Sequence, residues 1–582
     1  MAKTIPPKEA TKKPSMPLLV LLKPYTRMIL GLVLLALLSN GINLVLPMLI
    51  SRGIDNYSAG TFVLRTVLIE FLAATGLIFV FSYWQSVVQT YASERVARDL
   101  RTQLAAKISR QSFAYIQQTN PAKLLTNLTS DIDSVKLFVS QAIVSIVSSL
   151  CIIIGAAILL ISINWKLALA VLTIVPIIGI TFYTLMKKVR VLFMRGREVI
   201  DWLNKVINES ILGSALIRII NSQQLEYEKF LAANTDAKDI GMSILRLFAG
   251  LIPVISFTAN LAGLIILVLG GHFVIIGSMT LGDYAAFSSY LALLVFPIIV
   301  IGFMSNVIAQ ASASYERVNA VLMAPETVQT GTVNVRLNGD IELRDVSVYY
   351  GDKPALQHVS FSVEAGTRTA IVGPTAAGKS QLLFLLTGLI TPTSGTVLYD
   401  NRSIGDYEEE AFHQQVGFVF QDSITFNLSI RENIAFSETV TDAALEKAID
   451  TSELRDFIDA LPDKLQTVVS ERGASLSGGQ KQRIMLARAL ALNPTVLLLD
   501  DFTARVDTQT EQKILANVQQ NYPGLTLISV TQKIAPVEEY EQIILLMEGQ
   551  LIAKGTHTEL MANTPEYVQI YQSQRSTNQY VN

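Results

Sequence analysis

Before residue 310 the chain consists of six long apolar runs separated by polar stretches of unequal length. They fall at about 28–50, 67–88, 137–161, 167–186, 247–276 and 284–307. Each is near or above the ~18–20 apolar residues that a helix needs to cross a bilayer. The third and fourth are separated only by Ser162-Ile163-Asn164-Trp165-Lys166. Pro47, Pro176, Pro253 and Pro297 lie within or near the ends of these runs, which spanning helices tolerate. After residue 326 the pattern changes. A mostly polar stretch, 327–338, reads as a linker, and from 341 to about 571 short apolar strands alternate with helical patterns, as in an α/β domain. The expected fold class is a multi-domain membrane protein, a six-helix α transmembrane domain followed by an α/β domain. Its expected parts are a tail at 1–22, spans at 23–326, the linker at 327–338, the α/β domain at 339–575 and a tail at 576–582.

The polar connections alternate between long and short. Residues 89–136 carry Arg95, Arg98, Arg101, Lys107 and Arg110, and residues 187–246 carry Lys187, Lys188, Arg190, Arg195 and Arg197. The first residues hold Lys3, Lys8, Lys12, Lys13, Lys23 and Arg27, without the apolar stretch and cleavage site of a removable signal peptide. The short connections hold few cations, chiefly Arg52, Arg65 and Lys166. Because Lys and Arg accumulate on the cytoplasmic side, the N-terminus, both long connections and the α/β domain are expected in the cytoplasm. Helical spacing of apolar residues continues from the spans into 89–118 and 187–220, which predicts helices that project beyond the bilayer. Arg65 and Glu70 sit near the outer end of the second run, where water can reach them.

Composition narrows the function classes. Half of the 582 residues are hydrophobic and 16% are charged, against about 25% charged in average soluble domains. That excludes a disordered chain. The net charge of −2 gives no argument for nucleic acid. A single cysteine, Cys151, excludes an intrachain disulfide, and four scattered histidines make no metal cluster.

Gly373-Pro374-Thr375-Ala376-Ala377-Gly378-Lys379-Ser380 fits G-x-x-x-x-G-K-[ST] at every position, between a strand-like run, 368–372, and a helical run, 381–390, that opens with Gln381. In such a loop backbone N–H groups and a helix N-terminus receive phosphates, the lysine reaches the β- and γ-phosphates, and the Ser380 hydroxyl can ligate Mg²⁺. The run Thr495-Val-Leu-Leu-Leu-Asp500 is a buried strand ending in a carboxylate, suited to hold Mg²⁺ beside that loop.

Between these motifs stands Leu476-Ser477-Gly478-Gly479-Gln480. Together with the six runs, it makes the chain resemble an ABC transporter half-transporter of the exporter type (type IV). The resemblance implies ATP and Mg²⁺ as cofactors. It implies Tyr350 stacking on adenine, Gln421 as the Q-loop residue and an Mg²⁺ ligand beside Ser380 and Asp500, and Asp507 as the D-loop aspartate. It implies an exporter-specific loop at Glu471-Arg472-Gly473 and coupling helices at 120–133 and 221–230. The run Gly555-Thr556-His557-Thr558-Glu559-Leu560 resembles the family's closing motif. The signature is implied to grip the γ-phosphate of ATP held by an opposing cassette.

Two catalytic positions depart from the family pattern. Asp501 stands where the family has its catalytic glutamate, and Gln532 where it has the switch histidine; the D-loop reads Ala504-Arg505-Val506-Asp507. Aspartate places its carboxylate about 1.5 Å short, and glutamine cannot carry the proton and charge of histidine. The chain therefore resembles the degenerate-site subunit of heterodimeric bacterial multidrug exporters. It is expected to bind ATP, to hydrolyse it poorly, and to lend its signature to a partner half-transporter that has Glu and His at the two positions. The expected cargo is hydrophobic or amphipathic (a drug, lipid or peptide), in a multi-pass bacterial cell-membrane protein with no nucleic-acid partner. A leader-cleaving peptide exporter is disfavoured, because no Cys- and His-bearing peptidase segment precedes the first run. A siderophore importer of the same fold, a homodimeric exporter and a nucleotide-gated regulatory subunit are the alternatives.

Overall fold

A computed structural model of the protein describes residues 18–326, 331–470 and 476–579. The expected tail up to residue 17, residues 327–330 of the expected linker and the Glu471-Arg472-Gly473 loop lie outside the described residues. The chain folds as two compact units. One holds the described residues up to Arg110 together with Asn120–Pro325, and the other holds Gln111–Thr119 together with the described residues from Glu326 on.

The first unit is built from six helical spans: Lys23–Ser58, Leu64–Ser109, Pro121–Ile163, Trp165–Leu212, Gln223–Ile275 and Leu281–Leu322. Spans two to six hold 42 to 53 residues. At about 1.5 Å per residue, 46 residues reach ~69 Å, about twice the ~30 Å hydrocarbon core. The helical spacing in the long polar connections thus becomes helix, as expected. The spans expose most of their apolar surface: at most 22% of each most apolar window is buried, and only 6% in span two. Such surface is stable facing lipid rather than water.

Inside the unit, Leu160, Leu167, Phe182, Phe287, Tyr290 and Leu294 form part of a close-packed core. The buried Tyr290 hydroxyl donates to the carbonyl of Leu44 at 2.8 Å, linking spans six and one. Gly302 allows the Phe182 ring to approach; a Cβ there would lie 2.0 Å from it. The helix of span four is interrupted at Thr173, three residues before Pro176, whose ring and missing N–H disturb the helical bonding of the preceding turn. Asp131 is buried in a π-turn at the root of span three and accepts two hydrogen bonds from the Arg317 guanidinium of span six. Arg65 and Glu70 are both exposed near the start of span two.

Three features differ from the sequence expectation. The stretches 120–133 and 221–230 are not separate tip helices. Asn120 and Asn221 take left-handed φ values of 67° and 54°, which end the preceding helix, and the next long helix starts just beyond each. The short tip helices are Phe113–Thr119 and Ser214–Ile219. The helix Phe113–Thr119 belongs to the second unit, where the Phe113 ring meets Phe384 edge-on at 5.2 Å. The described part of the expected linker, 331–338, is also part of the second unit. Val333 bridges to Tyr407, Leu337 is buried, and the N–H groups of Asn338 and Gly339 bind the Asp400 carboxylate. At the other end, the last helix, Pro565–Gln579, extends into the expected tail, whose residues 580–582 lie outside the described residues.

The second unit contains two sheets. The strands are β1 (Ile341–Tyr350), β2 (Lys353–Val363), β3 (Arg368–Val372), β4 (Ser394–Tyr399), β5 (Arg402–Ser403), β6 (Val416–Val419), β7 (Val496–Asp500), β8 (Thr526–Thr531), β9 (Gln542–Met547) and β10 (Gln550–Gly555). An antiparallel sheet has the order β2-β1-β4-β5, and a six-stranded sheet has the order β10-β9-β3-β8-β7-β6. In the larger sheet β9, β3, β8, β7 and β6 run parallel. Every residue of β7 and β8 is buried; β7 accordingly reads as an apolar run up to Asp500, while β8 also buries Thr526, Ser529 and Thr531. In this sheet the chain passes from β3 over the places of β8 and β7 to β6 and then returns through β7 and β8, so the strand order reverses beside β3, and the carboxyl ends at such a reversal are where these sheets bind ligands.

Candidate functional site

Three loops leave the carboxyl ends of β3, β7 and β8 together. After β3 the chain turns through Gly373 at φ 153°, Ala376 at φ 65° and Gly378 at φ 95°, then enters the helix Lys379–Leu386. The glycines are sterically required. A Cβ on Gly373 would lie 2.0 Å from the Leu546 carbonyl oxygen, and one on Gly378 2.7 Å from that of Ala355. Pro374, Thr375 and Ala376 form an exposed crest, and Ala377 is buried beneath it. The first N–H groups of the helix lack carbonyl partners one turn back, as at any helix start.

Lys379 is buried, and its Nζ donates to the carbonyls of Gly373 at 2.8 Å and Pro374 at 2.7 Å. Burial lowers its pKa, and the carboxylates of Asp501 and Asp500 oppose that shift. Asp500, the last residue of β7, is 4% exposed. Burial raises its pKa, partly offset by a hydrogen bond from Ser380 and by the Lys379 charge. A buried carboxylate with a hydroxyl beside it is a hard oxygen donor set suited to Mg²⁺. The residues present thus fit the expected phosphate and metal site.

Asp501 follows in the left-handed region at φ 44°, and its N–H donates to the Val530 carbonyl of β8 at 2.9 Å. Burial raises its pKa, and the Lys379 and Lys533 ammonium groups pull it back. Gln532 begins the loop after β8 and is exposed. Two groups that no motif marks act on this corner. One is the Lys533 charge. The other is Gln574 of the last helix, whose side chain bonds the backbone at 532 and 534. No sequence signal pointed to Gln574, because it lies 42 residues from Gln532.

Tyr350 ends β1 and is 43% exposed, and its hydroxyl donates to Oε1 of Gln381 at 2.6 Å. The expected adenine-stacking ring and the expected phosphate helix are therefore joined. Gln421 follows β6, is exposed, and accepts at its carbonyl from Nε2 of Gln482 at 3.3 Å.

The signature is built as a helix start. Ser477 caps the helix Gly478–Leu490 in a reciprocal box with Gln480, the two bonds being 2.8 and 3.2 Å. Leu476 packs against the cassette core. A Cβ on Gly478 would lie 3.1 Å from Arg505 Cδ, and one on Gly479 3.0 Å from the Arg505 carbonyl oxygen. Asp507 caps the following helix, accepting from the Thr510 N–H at 2.9 Å. The closing Thr556–Leu560 run is a capping box as well, with Thr556 and Glu559 opening the helix His557–Asn563. Among the described residues no cluster of His, Cys, Asp and Glu forms a further metal site.

The chain matches the family description "ABC transporter transmembrane region" over residues 28–298 and "ABC transporter" over residues 356–504. It is 33% identical over 570 residues to the uncharacterized ABC transporter ATP-binding protein YfiB of Bacillus subtilis, covering 95% of this chain and 97% of that one. It is 28% identical over 500 residues to the ATP-dependent lipid A-core flippase of Syntrophus aciditrophicus, covering 85% and 83%. It is 29% identical over 553 residues to the probable multidrug resistance protein YheI of Bacillus subtilis, covering 93% and 94%. A solved bacterial Atm1-family ABC exporter with ATP bound superposes with a TM-score of 0.78 at 24% identity, covering 94% and 99%.

Proposed function

The chain belongs to the ABC transporter family as a multi-pass half-transporter, and from that premise we propose that it is the degenerate-site half of a heterodimeric, ATP-driven bacterial exporter. One observation carries the reading. The ATP-binding residues and the signature are complete, while the two positions that handle the attacking water and the γ-phosphate hold Asp501 and Gln532 at the mouth of β7 and β8.

In this reading Tyr350 stacks on the base, and the loop Gly373–Gln381 wraps the phosphates. Lys379 leaves the carbonyls of Gly373 and Pro374 to meet phosphate charge. Ser380, Asp500 and Gln421 would hold Mg²⁺, which would supply positive charge to offset that of the phosphates. Asp501 is too short to place its carboxylate where the glutamate of the family acts. A misplaced general base costs on the order of 10²–10⁴ in rate. Ser477 and the signature glycines complete the site of the partner, whose cassette carries Glu and His. Two bound nucleotides favour the closed pair because each contacts both cassettes only there. The α/β unit lies in the cytoplasm, as the basic connections indicate. The cargo is hydrophobic or amphipathic, in keeping with the few charges in the spans and with relatives named for a lipid A-core flippase and for multidrug resistance.

The test is ATP turnover by the purified chain alone and with a candidate partner half-transporter that has Glu and His at the two positions. Slow turnover alone and fast turnover together is the expected result; brisk turnover by the lone chain would sink the reading. Transport assays in inside-out vesicles establish direction.

A further inference from the structure

The loop after β8 is held by a side chain from the last helix. That helix, Pro565–Gln579, is anchored by Tyr567, which is fully buried with its hydroxyl 2.9 Å from Nδ1 of His557. Ile570 and Tyr571 also pack on the core. One turn further, Nε2 of Gln574 donates to the Gln532 carbonyl at 2.6 Å, and Oε1 of Gln574 accepts from the Ile534 N–H at 3.0 Å. The N–H between them, that of Lys533, donates to Oγ1 of Thr531 at 3.0 Å. A backbone group of each of three successive residues is thereby fixed, two of them by one carboxamide. A carboxamide can donate and accept at once; a carboxylate or an alkyl group cannot do both.

The clamp matters because of what the loop faces. Asp500 pairs with Val530, and the Asp501 N–H bonds the Val530 carbonyl. Asp501 and the loop therefore leave the sheet side by side. Lys533 is exposed, one residue beyond Gln532 in the clamped loop. Gln532 is neutral at every pH, so the cation available in this loop is Lys533.

We propose that Gln574 is a positioning residue that clamps the loop so that Lys533, in place of the neutral Gln532, presents a cation beside Asp501 to the γ-phosphate end of the ATP site. This rests on the reading that the site binds ATP, and adds to it the group that distinguishes ATP from ADP and the residue that aims it.

The experiment is a double-mutant cycle on the full-length chain in nanodiscs, reading dissociation constants for ATP and for ADP with Mg²⁺. Lys533→Gln is expected to weaken ATP about tenfold, the scale of one charge-assisted bond, and to leave ADP within about twofold. Gln574→Ala is expected to do the same, and the double variant to be no weaker than either single one. Gln574→Glu, which can accept from Ile534 but not donate to Gln532, is expected to resemble Gln574→Ala. Additive losses in the double variant, or equal losses for ATP and ADP, overturn the proposal while the ATP-site reading stands. Failure of the unmutated chain to bind ATP overturns both.

Discussion

The Tyr350 hydroxyl donates a 2.6 Å hydrogen bond to Oε1 of Gln381, so the ring at the end of β1 is tied to the third residue of the phosphate helix. The ring and the bond separate by substitution. Tyr350→Phe keeps the ring and removes a bond worth about 0.5–1.5 kcal/mol, so ATP affinity is expected to fall less than about tenfold. Tyr350→Leu also removes the ring of the proposed base stacking, worth about 1–3 kcal/mol, and is expected to weaken ATP further. Titration with a fluorescent ATP analogue reads both. Equal effects of the two substitutions would assign the whole contribution to the hydroxyl.

Asp500 is a buried carboxylate at the end of β7. Burial raises its pKa, so the folded state holds that proton more tightly than the unfolded state does. The ionised group therefore costs stability above its folded pKa. The cost fades as pH falls through that pKa toward the ordinary value near 4. Asp500→Asn is expected to raise the thermal midpoint at pH 7–8 without nucleotide, with the gain shrinking toward pH 4. The same change is expected to weaken Mg²⁺-dependent ATP binding by about tenfold or more, the loss of a charged contact. A midpoint that falls at pH 7–8 would contradict the burial argument.

Asp501 occupies a left-handed backbone position, φ 44°, that aspartate accepts more readily than most side chains. Asp501→Glu alone is expected to change ATP turnover of the lone chain little, because Gln532 still lacks the charge of histidine. Asp501→Glu with Gln532→His is expected to raise it by roughly 10²-fold or more. A hundredfold rise from the single change would identify Asp501 as the sole defect.

The pair Asp131–Arg317 joins the root of span three to span six, with the aspartate side chain 4% exposed and the arginine about half exposed. Arg317→Ala leaves a buried carboxylate without its strongest donor, at a cost of about 1–3 kcal/mol. The detergent-solubilised protein is expected to unfold several degrees lower. Asp131→Ala added to it is expected to recover part of the loss, since no charge then stays buried. A double variant less stable than Arg317→Ala would show that Asp131 has a second role.

Much of the architecture is local and so was readable along the chain. Apolar run length specifies six spans, because a helix must satisfy its own backbone in lipid. Helical spacing carried the second span on through the polar stretch from 89 to Ser109, short of the expected 118. The run Gly373–Ser380 marks a phosphate loop because only glycine tolerates the close approach of Leu546 and Ala355. Asp501 and Gln532 are visible departures because motif positions are counted from their neighbours.

What the sequence left undecided depends on contacts between distant residues. Its tip helices were misplaced by a few residues, because the break is a backbone conformation at Asn120 and Asn221 that composition does not announce. The polar stretch 331–338 reads as a linker, yet its N–H groups bind Asp400 some sixty residues on. Tyr350 meets Gln381 across 31 residues, Asp131 meets Arg317 across 186, and Gln574 reaches the loop at Gln532 across 42. Each is a polar pair with no periodicity, made only when sheet order and helix packing bring the two partners within hydrogen-bond reach. Length, patterning and motif spacing determined which chemistry this chain carries. Tertiary structure decided which side chains hold that chemistry in place, because a hydrogen bond depends on distance in space and not on separation along the chain.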